Sequence, residues 1–166
     1  ERLGYPVMVK AYDTPAGELR QEVYRSEDWV SEDWPGHKRE QASITLLDDY
    51  NVVRSRRFLI ESEADLSKLQ YLLWSPSEEA IARFRAAAAE LAGTARRLGV
   101  ALEAQCSAGT DVATWLCGTE GMVMMALDRP AMFAALLDII QAWDKRNTEL
   151  LLDSPVDFVW RRGWYE

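Results

Sequence analysis

Two adjacent arginines, Arg161 and Arg162, close a run of alternating residues, Val156-Asp-Phe-Val-Trp, and lead through Gly163 into Trp164, Tyr165 and Glu166. A planar guanidinium can hold a carboxylate through two parallel hydrogen bonds, so arginine at the end of a strand suits an anionic substrate. Trp164 and Tyr165 could supply an aromatic wall and Glu166 an acid or base, although a Trp and a Tyr beside a strand are more often packing residues. The competing reading pairs one or both arginines with nearby carboxylates on the surface. Strand alternation sends consecutive side chains to opposite faces, so at most one of the two points inward unless the strand has ended.

Asp111, in the Ser107-Ala-Gly-Thr-Asp loop, could orient a ligand; a carboxylate there also suits a helix N-cap, and the cap is the favoured reading. Cys106 and Cys117 stand eleven residues apart, His37 is the only histidine, and no CxxC or HxxxH spacing occurs. A zinc site complete within this chain is not expected, nor is a Cys–His nucleophile, and both cysteines read as buried thiols. Arg54, Arg56 and Arg57 form a basic cluster beside Asp48, Asp49, Glu61 and Glu63, which reads as a solvated face.

The elements that must position these residues follow from pattern. Tyr5–Tyr12 and Leu19–Trp29 are β-rich and flank Asp13-Thr-Pro-Ala-Gly17, predicting a hairpin. Ser31–Asn51 lacks clean periodicity, and Ile44-Thr-Leu-Leu47 within it fits helix or strand. Ser62–Leu69 predicts a short capped helix leading to Tyr71-Leu-Leu-Trp74. Ser75-Pro76-Ser77-Glu78 reads as an N-cap serine, a first-turn proline and a capping-box glutamate. The helix that follows carries Ile81, Phe84, Ala88, Leu91, Ala95 and Leu98 on one apolar face and ends at Gly99.

Val100–Cys106 predicts a strand, and Val112–Cys117 a helical turn interrupted by Gly118-Thr-Glu-Gly121. Met122–Leu127 is apolar all round and is expected to be buried. Asp128-Arg-Pro130 opens a long helix with Phe133, Leu136, Leu137, Ile140, Trp143, Asn147, Leu150 and Leu151 on its core stripe. Ser154-Pro155 ends it before the Val156 strand.

With 166 residues, 48% hydrophobic, the chain suits a single domain: a hairpin and irregular region over 1–74, and βα units over 75–166. The formal net charge of −8 argues against nonspecific binding to nucleic acid or anionic membrane. No stretch approaches the roughly 20 apolar residues of a membrane span, and the first residues lack a signal-peptide pattern, so a cytoplasmic location is expected.

Gly109-Thr-Asp-Val-Ala-Thr-Trp115, Gly118-Thr-Glu-Gly121, Leu127-Asp-Arg-Pro130 and the Val156-Asp-Phe-Val159 strand together resemble the central part of the uroporphyrinogen decarboxylase superfamily. Asp13–Leu19 and Leu59–Leu66 are similar to that family's middle region. The resemblance implies an α/β fold, part of a (β/α)8 TIM-type barrel with an inserted β-hairpin, and a chain that is a central fragment of a larger enzyme. It implies an anionic tetrapyrrole as ligand, or a methyl donor or corrinoid protein in corrinoid-linked methyl transfer. No cofactor would be held within this chain, and a corrinoid or zinc would belong to the longer protein. Trp115 falls near the family's tyrosine, which removes that phenol and places an indole at the substrate. The alternative is a noncatalytic scaffold or ligand-binding domain derived from the barrel. Open barrel edges would need cover, so a homodimer is expected.

Overall fold

A computed structural model describes residues 4–26, 44–107 and 109–163, the side chains of Ser107 and Arg162 excepted. Two compact units account for it: Glu1–Leu72 with Ala113–Ala134, and Leu73–Val112 with Ala135–Glu166.

The first unit is built on a three-stranded antiparallel sheet in the order β1 (Val7–Thr14), β2 (Gly17–Tyr24), β3 (Ser55–Arg57). The predicted hairpin forms because Gly17, at φ 114°, supplies a backbone conformation open to glycine, while the Thr14 hydroxyl donates to the Gly17 carbonyl at 2.6 Å. β2 alternates cleanly, burying Leu19, Gln21 and Val23. Helix α1 (Asp49–Val52) is capped by Asp48, whose carboxylate accepts from the Tyr50 backbone N–H at 3.0 Å. Helix α2 (Glu63–Leu72) packs on β1 and β2 and buries Leu66 and Leu69. The Asp65 carboxylate, at the third position of α2, accepts from the Ser62 backbone N–H at 3.0 Å and from the Ser62 hydroxyl at 2.9 Å, so the carboxylate half of a capping box forms without the serine half. Ile44–Leu47 takes neither helix nor strand conformation.

The second unit is built on a two-stranded parallel sheet, β4 (Glu103–Ser107) beside β5 (Phe158–Arg162). Helix α3 (Glu78–Leu98) precedes it, and α4 (Thr110–Cys117), α5 (Thr119–Asp128) and α6 (Pro130–Leu152) lie between the strands in sequence, the stretch Ala113–Ala134 belonging to the first unit. α3 ends at Gly99, left-handed at φ 67° and ψ 31°, as the sequence predicts, but its cap is Ser77 and not Ser75: the Ser77 hydroxyl accepts from the Ala80 N–H at 3.2 Å.

The barrel expectation is overturned. Successive staves of a (β/α)8 barrel are parallel neighbours in one sheet. Here the described strands form two separate small sheets, the larger of them antiparallel. β3, formed by the basic segment read as a solvated face, joins the hairpin, so the Ser55–Arg57 run serves the antiparallel sheet and adds no parallel stave. The Met122–Leu127 expectation also fails: it lies in α5, where only Met125 is buried and Val123, Met124 and Leu127 are exposed.

Candidate functional site

The carboxyl ends of β4 and β5 are the place in this chain where a parallel sheet delivers two strands side by side, the position at which α/β folds gather binding residues. Register fixes the pairing from Glu103 with Phe158 through Cys106 with Arg161 to Ser107 with Arg162. A clamp sets it at the other end: the Asp157 N–H donates to the Leu102 carbonyl at 2.9 Å, and the Leu102 N–H donates to the Asp157 carboxylate at 2.7 Å. Past β4, Gly109 at φ 60° turns the chain directly into α4, bringing the first turn of that helix to the end of the strand.

Asp111 lies in that first turn, only 1% exposed. It is therefore inside the helix and not the N-cap, one residue past the Thr110 start. A carboxylate in a first turn is favoured by the positive end of the helix dipole.

Arg161 is claimed by α6. Its guanidinium donates to the Asp144 carboxylate at 2.7 Å, with the Asp144 side chain 8% exposed and that of Arg161 53% exposed. The buried carboxylate is compensated from one side while half of the cation stays in water, so the pair fastens β5 to α6. The pair sits at an open groove of about 610 Å³, which Asp138, Gln141, Lys145 and Thr148 also line. The other oxygen of Asp144 and the Thr148 hydroxyl are buried with no hydrogen-bond partner among the described residues. On the opposite sheet face Phe158 and Trp160 are exposed beside Glu103 and Gln105, the Gln105 amide donating to Glu103 at 2.6 Å.

Of the sequence-derived candidates, Arg161 and Asp111 therefore belong to the second unit, and Arg162 is the last residue of β5. Trp115 belongs to the first unit, half-buried, with its indole N–H buried and without a hydrogen-bond partner among the described residues. Trp164, Tyr165 and Glu166 lie outside the described residues, as do His37 and the Arg162 side chain.

Asp144 was not among the candidates, yet its signal is present. Leu136, Ile140 and Asp144 follow at four-residue steps, and a carboxylate continuing an apolar stripe requires a cation.

Of the two cysteines read as buried thiols, Cys117 is buried and Cys106, on β4, is half-buried. The Cys117 thiol donates to the Ala113 carbonyl at 3.0 Å, and burial pushes its pKa up to about 12 against a smaller opposing effect of Arg129. A thiol so raised stays protonated and is a poor nucleophile. Among the described residues no group of three or more His, Cys, Asp or Glu side chains could hold a metal, and no helix is long and apolar enough to cross a membrane.

Arg56 and Arg57 are held by carboxylates, Glu22 at 3.6 Å and Glu61 at 3.5 Å. Arg54 stacks over the Tyr50 ring, 3.7 Å from its centroid. No family model, curated protein or solved structure matches the chain.

Proposed function

We propose that the chain contributes binding surface to a uroporphyrinogen decarboxylase-like enzyme, taking an anionic tetrapyrrole or serving corrinoid-linked methyl transfer in the cytoplasm. The observation that carries the reading is the parallel β4–β5 pair, whose register sets Ser107 beside Arg162 next to the Gly109 turn and the first turn of α4. Such an edge offers backbone N–H groups, a helix N-terminus and an arginine to a substrate carboxylate. Arg161 is bound to Asp144, so Arg162 takes the substrate-binding role in this proposal, with Trp164, Tyr165 and Glu166 following it in the chain. Asp111 would orient this first turn. The ligand is a small molecule or a corrinoid protein; a corrinoid or zinc, where used, would be a group this chain does not itself ligate.

The test is titration with uroporphyrin and, separately, with hydroxocobalamin, read by absorbance and tryptophan quenching. Saturable uroporphyrin binding that weakens about tenfold or more in Arg162→Gln, the loss of one bidentate charged contact, supports the tetrapyrrole reading. Saturable binding of hydroxocobalamin alone selects methyl transfer. Binding of neither removes the enzyme reading and leaves a noncatalytic scaffold.

A further inference from the structure

Helix α3 is apolar over a wider arc than the described residues cover. Ile81, Ala88, Ala92 and Ala95 are buried, whereas Phe84, Leu91 and Leu98, on the adjoining flank, are 39%, 58% and 71% exposed. These three stand seven residues apart, the spacing of a coiled-coil seam, with Ala80, Ala87 and Thr94 filling the same stripe. A helical stripe of large apolar groups in water calls for a partner helix.

The charges beside the stripe say which partner. Glu79, Arg83, Glu90 and Arg97 lie along one edge of it and read minus, plus, minus, plus. Laid parallel against a second copy, that row sets each charge against its like. Reversed, it meets its own complement: Glu79 faces Arg97 of the second copy, and Arg83 faces Glu90 of the second copy, each pair occurring twice by symmetry. A two-fold axis level with the step from Ala87 to Ala88 stacks Phe84 on Leu91 of the second copy and brings each charge pair to within two residues, about 3 Å, of level. Small residues at the crossing point let two helices approach closely. Within one chain Arg83 already holds Glu79 one turn away, which leaves it aligned along this edge.

We infer that the exposed flank of α3 is a homodimer surface on which a second copy of the chain packs its own α3 antiparallel. The inference is independent of the ligand proposed above. It goes beyond the general expectation of a dimer by naming the helix, the register and the charge code.

The test uses the full chain in sedimentation equilibrium and light scattering. The expected result is a mass of two chains, with association weakened at least tenfold by Leu91→Glu while far-ultraviolet circular dichroism is unchanged. Glu90→Arg, which turns two attractions into two repulsions, weakens it about tenfold, and Arg83→Glu with Glu90→Arg brings it back to within about threefold. In a Cys106→Ser background, oxidation cross-links Ala87→Cys but not Thr94→Cys, because the antiparallel register separates the two copies of residue 94 by about 20 Å. A monomeric wild type, a dimer indifferent to Leu91→Glu, a charge swap that fails to restore association, or a Thr94→Cys cross-link would each overturn it.

Discussion

Replacing Gly118 with alanine should be among the most damaging single-methyl changes in this chain, because two independent costs fall on one residue. Gly118 sits at φ 75° and ψ 157°, a region that residues with a Cβ essentially avoid, at about 1–3 kcal/mol. It is held there from both sides: its N–H closes α4 on the Thr114 carbonyl at 2.8 Å, and its carbonyl opens α5 by accepting from the Met122 N–H at 2.8 Å. The second cost is steric. A Cβ at this position would stand 2.5 Å and 2.6 Å from two atoms of the Phe58 ring. That ring cannot retreat freely, since Ile60, two residues on, is fastened by its N–H to the Leu116 carbonyl at 3.0 Å. Overpacking of this kind costs about 1–3 kcal/mol, so Gly118→Ala should lose about 2–6 kcal/mol in all.

Gly99→Ala is the matched control. Its φ is also positive, at 67°, but nothing lies within 4 Å of the added methyl, so only the left-handed backbone cost of about 1–2 kcal/mol remains. Urea unfolding followed by circular dichroism at constant m measures both. Adding Phe58→Ala to Gly118→Ala should return the steric share, a coupling of about 1–3 kcal/mol in a double-mutant cycle. Equal costs at the two glycines, or a cycle with no coupling, would refute the Phe58 contact as the cause.

Three further outcomes follow from the same geometry. Ser77→Ala should cost about 1 kcal/mol in thermal or urea unfolding and Ser75→Ala close to nothing, since only Ser77 caps α3; a larger loss at Ser75 would move the cap. Burial raises the Asp65 pKa, but Lys68, the Ser62 hydroxyl and the Glu61 and Ser62 backbone N–H groups outweigh it, so the net shift is downward. A carboxyl depressed in the folded state contributes stability in full above its unfolded pKa and loses it as pH falls through the folded one, so Asp65→Asn should flatten the acid limb of a stability–pH curve and leave its basic limb unchanged in shape. Arg161→Met should destabilise by about 1–3 kcal/mol, below the range for fully buried pairs because the guanidinium is half in water, and Asp144→Asn should cost less than Arg161→Met because it removes the stranded charge. The ordering of that pair is checked by urea unfolding, and its reversal would mean that the carboxylate is stabilised elsewhere.

What the sequence disclosed about the fold was local. The left-handed end of α3 at Gly99, the hairpin around Gly17, the short helix α2 and the proline-led start of α6 depend on a few consecutive residues whose backbone chemistry is readable directly. The sheets were not readable, because pairing joins segments far apart. β3 carries Ser55-Arg-Arg57, without a single apolar residue, and finds β2 through Glu22 and a bulge, so no alternation announces it as a strand. The strands that do announce themselves, β4 and β5, were expected to be two staves of a larger parallel set. They pair with each other as that reading requires, but periodicity within a strand cannot say how many neighbours its sheet will have.

The same limit divides the two arginines at the end of β5. Sequence alone presents Arg161 and Arg162 as equals, both guanidiniums at a strand end in an acidic chain. Folding separates them through Asp144, a residue whose meaning depends on α6 lying against β5. A carboxylate on a buried helical stripe is costly to desolvate, and that cost is recovered only if the neighbouring element brings a cation to within hydrogen-bond distance. Arg161 does so at 2.7 Å. The general consequence for reading such sequences is that a lone acid continuing an apolar stripe identifies which of several nearby bases is structural. In this chain Asp144 makes Arg161 the anchor that fastens β5 to α6.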